Sequence, residues 1–368
     1  MFPKYPIRFM KPMIRFILLG IFLWPVAAHL QTTELSLVQA QDYALKNAYQ
    51  AKSAQYDAQV AALQTEELIG VGLPQISGSL QYQNFIDIPT QLVPAEFFGG
   101  APGSYAPVRF GLPQNMTVGL SASQLLFNGS WLVGLEASRA YADLKNKQKI
   151  QTEKSLKSDV ANAYHLALIA GENLKVLQSS REILAKTLSD TRALFENGFL
   201  EEQDVDQLQL TLNDLDSRIA YAEQQVKVTH DLLKFTIGMP LATDLKLSDT
   251  RESMVAQASE ELLSAPFSAD SHIDYQVTLG ALGMQEINLK NERAKKLPTL
   301  AAFYNLQTNA QRPEFNFMDS SKPWFPIQLW GVQLNVPIFS GLSRNKSIGK
   351  AKVEIQRMQD LSAMTREA

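Results

Sequence analysis

Apolar and polar residues alternate strictly in four short segments of this chain, and apolar residues recur at heptad spacing in the long segments between them. In residues 76–86, Ile76, Leu80, Tyr82 and Ile86 share one face while Ser77, Ser79, Gln81 and Gln83 share the other, the period of a half-buried strand. Residues 116–127 set Met116, Val118, Leu120, Ala122 and Leu126 against Thr117, Gly119, Ser121 and Ser123. The pattern returns in 299–309, with Leu300, Ala302, Tyr304 and Leu306, and in 328–339, with Trp330, Val332, Leu334, Val336 and Ile338. Each predicted strand is about 11 residues long, close to the length that crosses an outer membrane at a tilt. A soluble β-sandwich would show the same alternation, so the loops help to decide. Residues 87–113 hold Pro89, Pro94, Pro102, Pro107 and Pro113 with Gly99, Gly100, Gly103 and Gly111, predicting a long irregular excursion of the kind barrels carry on their outer side. The loop near 310–326 ends in Pro323, Trp324, Phe325 and Pro326, aromatics that suit an interfacial girdle.

The segments between are helical. No proline falls in residues 130–193, and a heptad seam runs through Leu156, Val160, Ala163, Ala167, Ala170, Leu174, Leu177, Arg181, Leu184, Leu188, Thr191 and Phe195. Asn197-Gly198 reads as a reversal, and a second seam returns through Val205, Leu208, Leu212, Leu215, Ile219, Ala222, Val226 and Leu233, predicting a helical hairpin over 130–237. A first helix over 36–70 has an alanine-rich seam, Leu37, Ala40, Ala44, Ala51, Ala54, Ala58, Ala61 and Leu68, suited to close helix packing.

These elements occur as a block that is present twice. A helix runs into Leu73-Pro74, then a strand, a loop, a strand, and Phe127-x-Gly129 opening the next helix; Leu297-Pro298 and Phe339-x-Gly341 repeat the order. The first copy is expected over 29–240 and the second over 271–368, with helix 272–296 and the start of a helix at 342–368, joined by a linker at 241–270.

Residues 1–28 read as an export signal. Lys4, Arg8, Lys11 and Arg15 precede an apolar run at 16–28 that ends in Val26, Ala27 and Ala28, and about 13 apolar residues fall short of the ~20 that span a bilayer as a helix. Of the 34 Lys and Arg, four lie in this segment, leaving 30 against 37 Asp and Glu, a balance that gives no support for a nucleic-acid partner. There are 0 cysteines, which removes disulfides, thiol catalysis and lipoprotein acylation together. The mature chain has no apolar run near the length of a spanning helix, so it would enter a membrane only as a closed barrel. Four strands cannot close one, since the usual floor is about eight. The membrane reading therefore requires several copies to share a barrel.

With Leu126-Phe127-Asn128-Gly129, Ile338-Phe339-Ser340-Gly341, the Gly198 tip followed by Asp204-Val205, and Ile237-Gly238-Met239-Pro240, residues from 34 to about 368 resemble the TolC-like outer-membrane efflux protein family. The resemblance implies an α+β membrane protein: a homotrimer whose shared transmembrane β-barrel, four strands per chain, continues into a long α-helical periplasmic tunnel. It further implies passive export of small molecules or proteins from an efflux pump or a type I secretion system. The partners implied are outer-membrane lipid, a periplasmic adaptor protein and an inner-membrane transporter. Docking is expected at the tip formed by Asn197, Gly198, Phe199 and Leu200, because an apolar pair on a hairpin turn has no core of its own to fill. Two departures stand out: Asn47-Ala48 where members often have Asn-Pro, and only 27 residues after Gly341. The second hairpin is thus nearly absent, the family's constriction residues cannot be carried over, and a longer frame with roughly 80 to 120 further residues is expected, judged from the first repeat.

Catalytic chemistry offers no competing site. His29, His165, His230 and His272 are scattered, no phosphate loop or nucleophile elbow occurs, and no cofactor is implied. The acidic cluster Glu201, Glu202, Asp204 and Asp206 reads as first-turn charges favoured by the helix dipole rather than a cation site. A trimeric barrel-anchored structural or adhesive coiled-coil protein is the alternative, and a periplasmic adaptor with soluble β-domains is a third class.

Overall fold

The computed structural model describes residues 33–250 and 268–367, so the expected export signal at 1–28 and part of the linker at 241–270 lie outside the described residues. In chain order the elements are β1 (Thr33–Leu35), α1 (Leu37–Asn47), α2 (Tyr49–Val71), β2 (Gln75–Asn84), β3 (Thr90–Pro94), β4 (Tyr105–Arg109), β5 (Gln114–Asn128), α3 (Gly129–Glu196), α4 (Glu202–Ile237), β6 (Leu245–Leu247), α5 (Ile273–Ala294), β7 (Thr299–Arg312), β8 (Phe325–Asn335) and α6 (Ser343–Glu367).

Local chemistry sets most boundaries. Ser36 caps α1 through a reciprocal box, its Oγ accepting from Gln39 N at 3.3 Å while Gln39 Oε1 accepts from Ser36 N at 2.9 Å. The helix expected over 36–70 is two helices, because Ala48 is extended (ψ 139°) between α1 and α2. No proline stands at this break, which lies where Gly238 approaches the backbone of Asn47 and Ala48. Asn128 Oδ1 accepts from Trp131 N at 3.0 Å and so caps α3, whose 68 residues span roughly 100 Å at ~1.5 Å per residue. Gly198 (φ +80°) ends α3 at the hairpin tip, and Gly238 (φ +75°) ends α4, both in the left-handed region that only glycine enters cheaply.

The hairpin seam packs as its heptads require. Leu156, Val160, Ala163, Ala167 and Leu188 of α3 are buried, as are Val205, Leu212, Ala222 and Leu233 of α4. Arg181, the charged member of the seam, reaches Asp216 across the hairpin. At the base, α1, α3, α4, β1 and β6 share one core around Tyr164, Leu156, Val160, Leu233 and Ile237, with Ala40, Ala44, Ala48 and Ala51 letting the backbones approach. β1 and β6 pair in parallel, tying the start of the described chain to the segment after the hairpin. Helix α2 packs on α3, and α5 packs on both α3 and α6.

The four long strands form one antiparallel sheet in the order β2-β5-β7-β8. Two strand expectations need adjustment. The loop at 87–113 is not irregular throughout, since β3 and β4 make a hairpin within it. Strand β8 stops at Asn335 rather than 339, two residues before Pro337, which has no N–H for a ladder.

Candidate functional site

The sheet has two chemically distinct faces, fixed by the register. Ile76, Ala122, Tyr304 and Trp330 lie in one cross-strand row, and Leu80, Val118 and Thr308 in another, because residues directly opposite share a face. This face is apolar and bare: Ile76, Leu80, Leu120, Trp330, Val332 and Leu334 are all more than half exposed. The opposite face carries Gln75, Ser77, Ser79, Gln81 and Gln83 on β2, Asn115, Thr117, Ser121 and Ser123 on β5, and Asn305, Gln307, Asn309 and Gln311 on β7. Its side chains bond across strands: Ser77 Oγ to Ser121 Oγ at 2.7 Å, and Asn309 Nδ2 donating to Asn115 Oδ1 at 2.6 Å and Thr117 Oγ1 at 2.8 Å. No charged residue stands on that polar face along the four strands. Phe303 lies there over Gly331, where an added Cβ would sit 2.7 Å from its Cζ, so the ring covers the backbone of β8.

Both ends of the sheet order are open, for β2 and β8 each pair on one side only among the described residues. At the lower end, the strands pass directly into helices. The exit of β5 is clamped from both flanks: Trp131 Nε1 donates to Leu68 O at 2.9 Å with its indole against Gly72, and Ser130 Oγ bonds Asn291 of α5. Gly129 is buried against the second strand entry, where an added Cβ would lie 2.6 Å from Leu297 Cδ1.

No family model matches the chain. The outer membrane protein TolC of Vibrio cholerae is 25% identical over 260 residues, 68% of this chain and 57% of that protein. Among solved structures, CusC superposes with a TM-score of 0.68 at 17% identity, over 91% of this chain and 73% of CusC. VceC of Vibrio cholerae gives 0.61 at 12% identity over 90% and 75%, and the Campylobacter jejuni CmeC outer membrane channel 0.64 at 16% over 89% and 67%. The fold is that of the TolC-like outer-membrane channels. The chain spans 57% of the length of the Vibrio cholerae TolC that it matches. The Vibrio cholerae relative is an outer membrane protein, and the solved structures with this fold include the outer membrane protein VceC and the CmeC outer membrane channel.

The residues singled out from the TolC-like motifs fall in three places. Leu297 and Gly129 meet, and Phe127 pairs with Leu300 just past a bulge in β5. Leu73 and Pro74, before the edge strand β2, are exposed, as are Phe339 and Gly341 after the other edge strand, with open space where a Gly341 Cβ would go. Asn197, Gly198, Phe199 and Leu200 form the hairpin tip, with Phe199 76% exposed and its N–H bonded to Leu194 O at 3.0 Å. The first turn of α4 carries Glu202 and Asp204, exposed. Among the described residues no group of three or more His, Cys, Asp or Glu could hold a metal ion, and no helix is long and apolar enough to cross a membrane.

Sequence reasoning missed the Tyr164 lock. Tyr164 is fully buried, its hydroxyl donates to Leu35 O at 3.0 Å and accepts from Asp249 N at 3.3 Å, and Asp249 Oδ2 accepts from Leu37 N at 2.7 Å. Burial pushes the Tyr164 hydroxyl up to about 12. Its position one residue past the seam residue Ala163 was the available signal.

Proposed function

We propose that the chain is a subunit of an outer-membrane channel, in which several copies close one barrel around a water-filled path. The observation that carries this is a four-stranded sheet with one bare apolar face, an opposite face that is uncharged and polar along β2, β5 and β7 but carries Phe325, Ile327 and Leu329 on β8, and two edges unpaired among the described residues. A sheet in lipid must satisfy every backbone group, so β8 of one copy would pair with β2 of the next. Three copies would give twelve strands, the trimer that the family resemblance implies. Leu73 would then meet Gly341 of the next copy as Leu297 meets Gly129 within one. Exposed apolar residues on the outer sides of the helices, among them Tyr56, Val60, Ile183, Tyr221 and Phe235, would be covered by neighbouring copies.

The polar face lines the path, and the long hairpin of α3 and α4 extends it as the wall of a periplasmic tunnel. The energy for export of small molecules or proteins comes from an inner-membrane transporter, reached through a periplasmic adaptor that docks at Phe199 and Leu200. Single-channel recording tests the core of this reading, because the chain has no native cysteine. Modification of Gln307→Cys by a charged, water-soluble thiol reagent should lower conductance, whereas modification of Val118→Cys on the apolar face should not. Equal responses at the two sites would refute the assignment of faces.

A further inference from the structure

The segment between β7 and β8 does not arch over the open end of the sheet. Phe317 is 4% exposed and packs on Met116 and Ala310, while Phe315 and Phe317 both meet Tyr82 edge-on at 5.5 and 6.0 Å between ring centres. Tyr82, Met116 and Ala310 form one cross-strand row on the apolar face. The segment therefore runs backwards across β7, β5 and β2 on the side turned away from the polar face. Trp324 closes it against Phe317 at 6.2 Å. Arg312, on the same face opposite Gln114, pins it by donating from Nη2 to Pro323 O at 2.8 Å and from Nη1 to Gln311 O at 3.1 Å.

The level of this segment follows from the strands. From Leu300 to Ala310 the apolar face of β7 runs about 33 Å at ~3.3 Å per residue, which a tilt of roughly 40° reduces to the ~25 Å apolar band of an outer-membrane barrel. The aromatic segment lies at the upper limit of that band. Arg312 Nε, Gln114 Oε1 and Asn316 Oδ1 are buried there with no hydrogen-bond partner in the protein, a set that is tolerable at the hydrated headgroup level and costly among acyl chains. Asp319, held below the usual carboxylate range by hydrogen bonds from Ser321 Oγ and N, keeps the turn charged and at the water side.

Resting on the barrel reading above, we propose that residues 313–324 form a collar that seats in the headgroup layer of the outer leaflet, with Phe315 and Met318 as its lipid-facing contacts, and that this loop does not gate the channel mouth. Phe315 and Met318 are 59% and 88% exposed, continuous with the bare apolar face below them. Aromatic rings with one apolar and one wet side partition to that layer.

Single-cysteine variants of the full chain, assembled in bilayers, test this with two measurements. A spin label at Phe315→Cys should show an oxygen-to-nickel-chelate accessibility ratio at least threefold above that of a label at Ala101→Cys in the β3–β4 loop. A charged thiol reagent at Met318→Cys should leave single-channel conductance within a tenth of its unmodified value, while the same reagent at Gln307→Cys lowers it. A Phe315 ratio equal to that at Ala101, or a conductance drop at Met318, would overturn the collar while leaving the barrel intact. No drop at Gln307 would overturn both. Adding Phe317→Ala should release the segment and bring the Phe315 ratio down to the Ala101 value; an unchanged ratio would show that packing on Met116 and Ala310 does not seat it.

Discussion

Gly238→Ala is a small substitution that the fold tolerates poorly. Gly238 ends α4 at φ +75°, where an alanine costs about 1 to 2 kcal/mol, offset in part by roughly 0.4 to 1 kcal/mol from the stiffer unfolded chain. The added methyl decides the balance. Its Cβ would sit 2.6 Å from Asn47 O and 2.8 Å from both Asn47 C and Ala48 Cα, all backbone atoms. Relief requires Asn47 and Ala48 to retreat by several tenths of an ångström, yet Ala44 and Ala48 are fully buried in the core at the α1–α2 break. Overpacking of this kind costs about 1 to 3 kcal/mol, so the total should be roughly 2 to 4 kcal/mol. At ~2.1 cal/mol/K per residue of unfolding entropy, that lowers Tm by about 3 to 5 °C in a far-UV circular dichroism melt of the detergent-solubilised protein. Gly171→Ala is the matched control: it lies inside α3 with open space around it and should be neutral or stabilising by up to ~1 kcal/mol. Equal melts for Gly238→Ala and Gly171→Ala would refute the claim that the backbone at the α1–α2 break leaves no room for a methyl at Gly238.

Tyr164→Phe should destabilise by about 1 to 3 kcal/mol by leaving Asp249 N unpaired, while Leu35 O keeps its bond from Ser248 N at 3.1 Å. Because the hydroxyl titrates higher in the fold, its contribution is complete below the unfolded value of 10.0 and is lost as pH rises toward about 12, so wild-type stability should fall between pH 10 and 12 more steeply than that of Tyr164→Phe. Val118→Arg, at mid-height on the apolar face, should cost about 2 to 4 kcal/mol of stability in lipid, whereas Ser121→Arg on the polar face should be nearly neutral and should shift ion selectivity toward anions. Phe199→Ser with Leu200→Ser should abolish export without altering assembly, and unchanged transport would rule out docking at the tip. Leu73→Cys with Ser340→Cys should cross-link copies on mild oxidation, read as a ladder on a non-reducing gel, and a monomer band alone would refute pairing of β8 with β2.

The heptad seams were legible because burial against one neighbour leaves a period: Leu156, Val160, Ala163 and Ala167 are spaced by four and three and all are buried. The faces of the sheet were legible for the same reason, with period two. What escaped notice is set by contacts between segments distant in sequence. The break at Ala48 packs against Gly238, some 190 residues on, and Arg181 could be matched to Asp216 only with the hairpin register in hand, although both lie 17 to 18 residues from Gly198. The β3–β4 hairpin hid behind prolines, but Pro94 and Pro107 sit in an isolated two-stranded ladder, where a missing N–H can face solvent. The early end of β8 was written in Pro337 and could have been read.

The two strand exits share a motif and differ in surroundings, and the difference is informative. Gly129 is packed between Leu297 and the backbone of Ala294, and its strand runs unbroken into α3. Gly341 has open space around it, Ile338 and Phe339 are 93% and 81% exposed, and Leu342 takes a positive φ of 65°, an unfavourable state for a residue with a side chain. Leu73, the counterpart of Leu297, is exposed at the other edge of the sheet. A chain that satisfied its own sheet would have no reason to leave matching halves of one contact bare on opposite edges. The glycine half of the motif is packed at Gly129, although Leu297 beside it is still 48% exposed, and is open at Gly341, the arrangement expected when the missing half of the Gly341 contact comes from another copy.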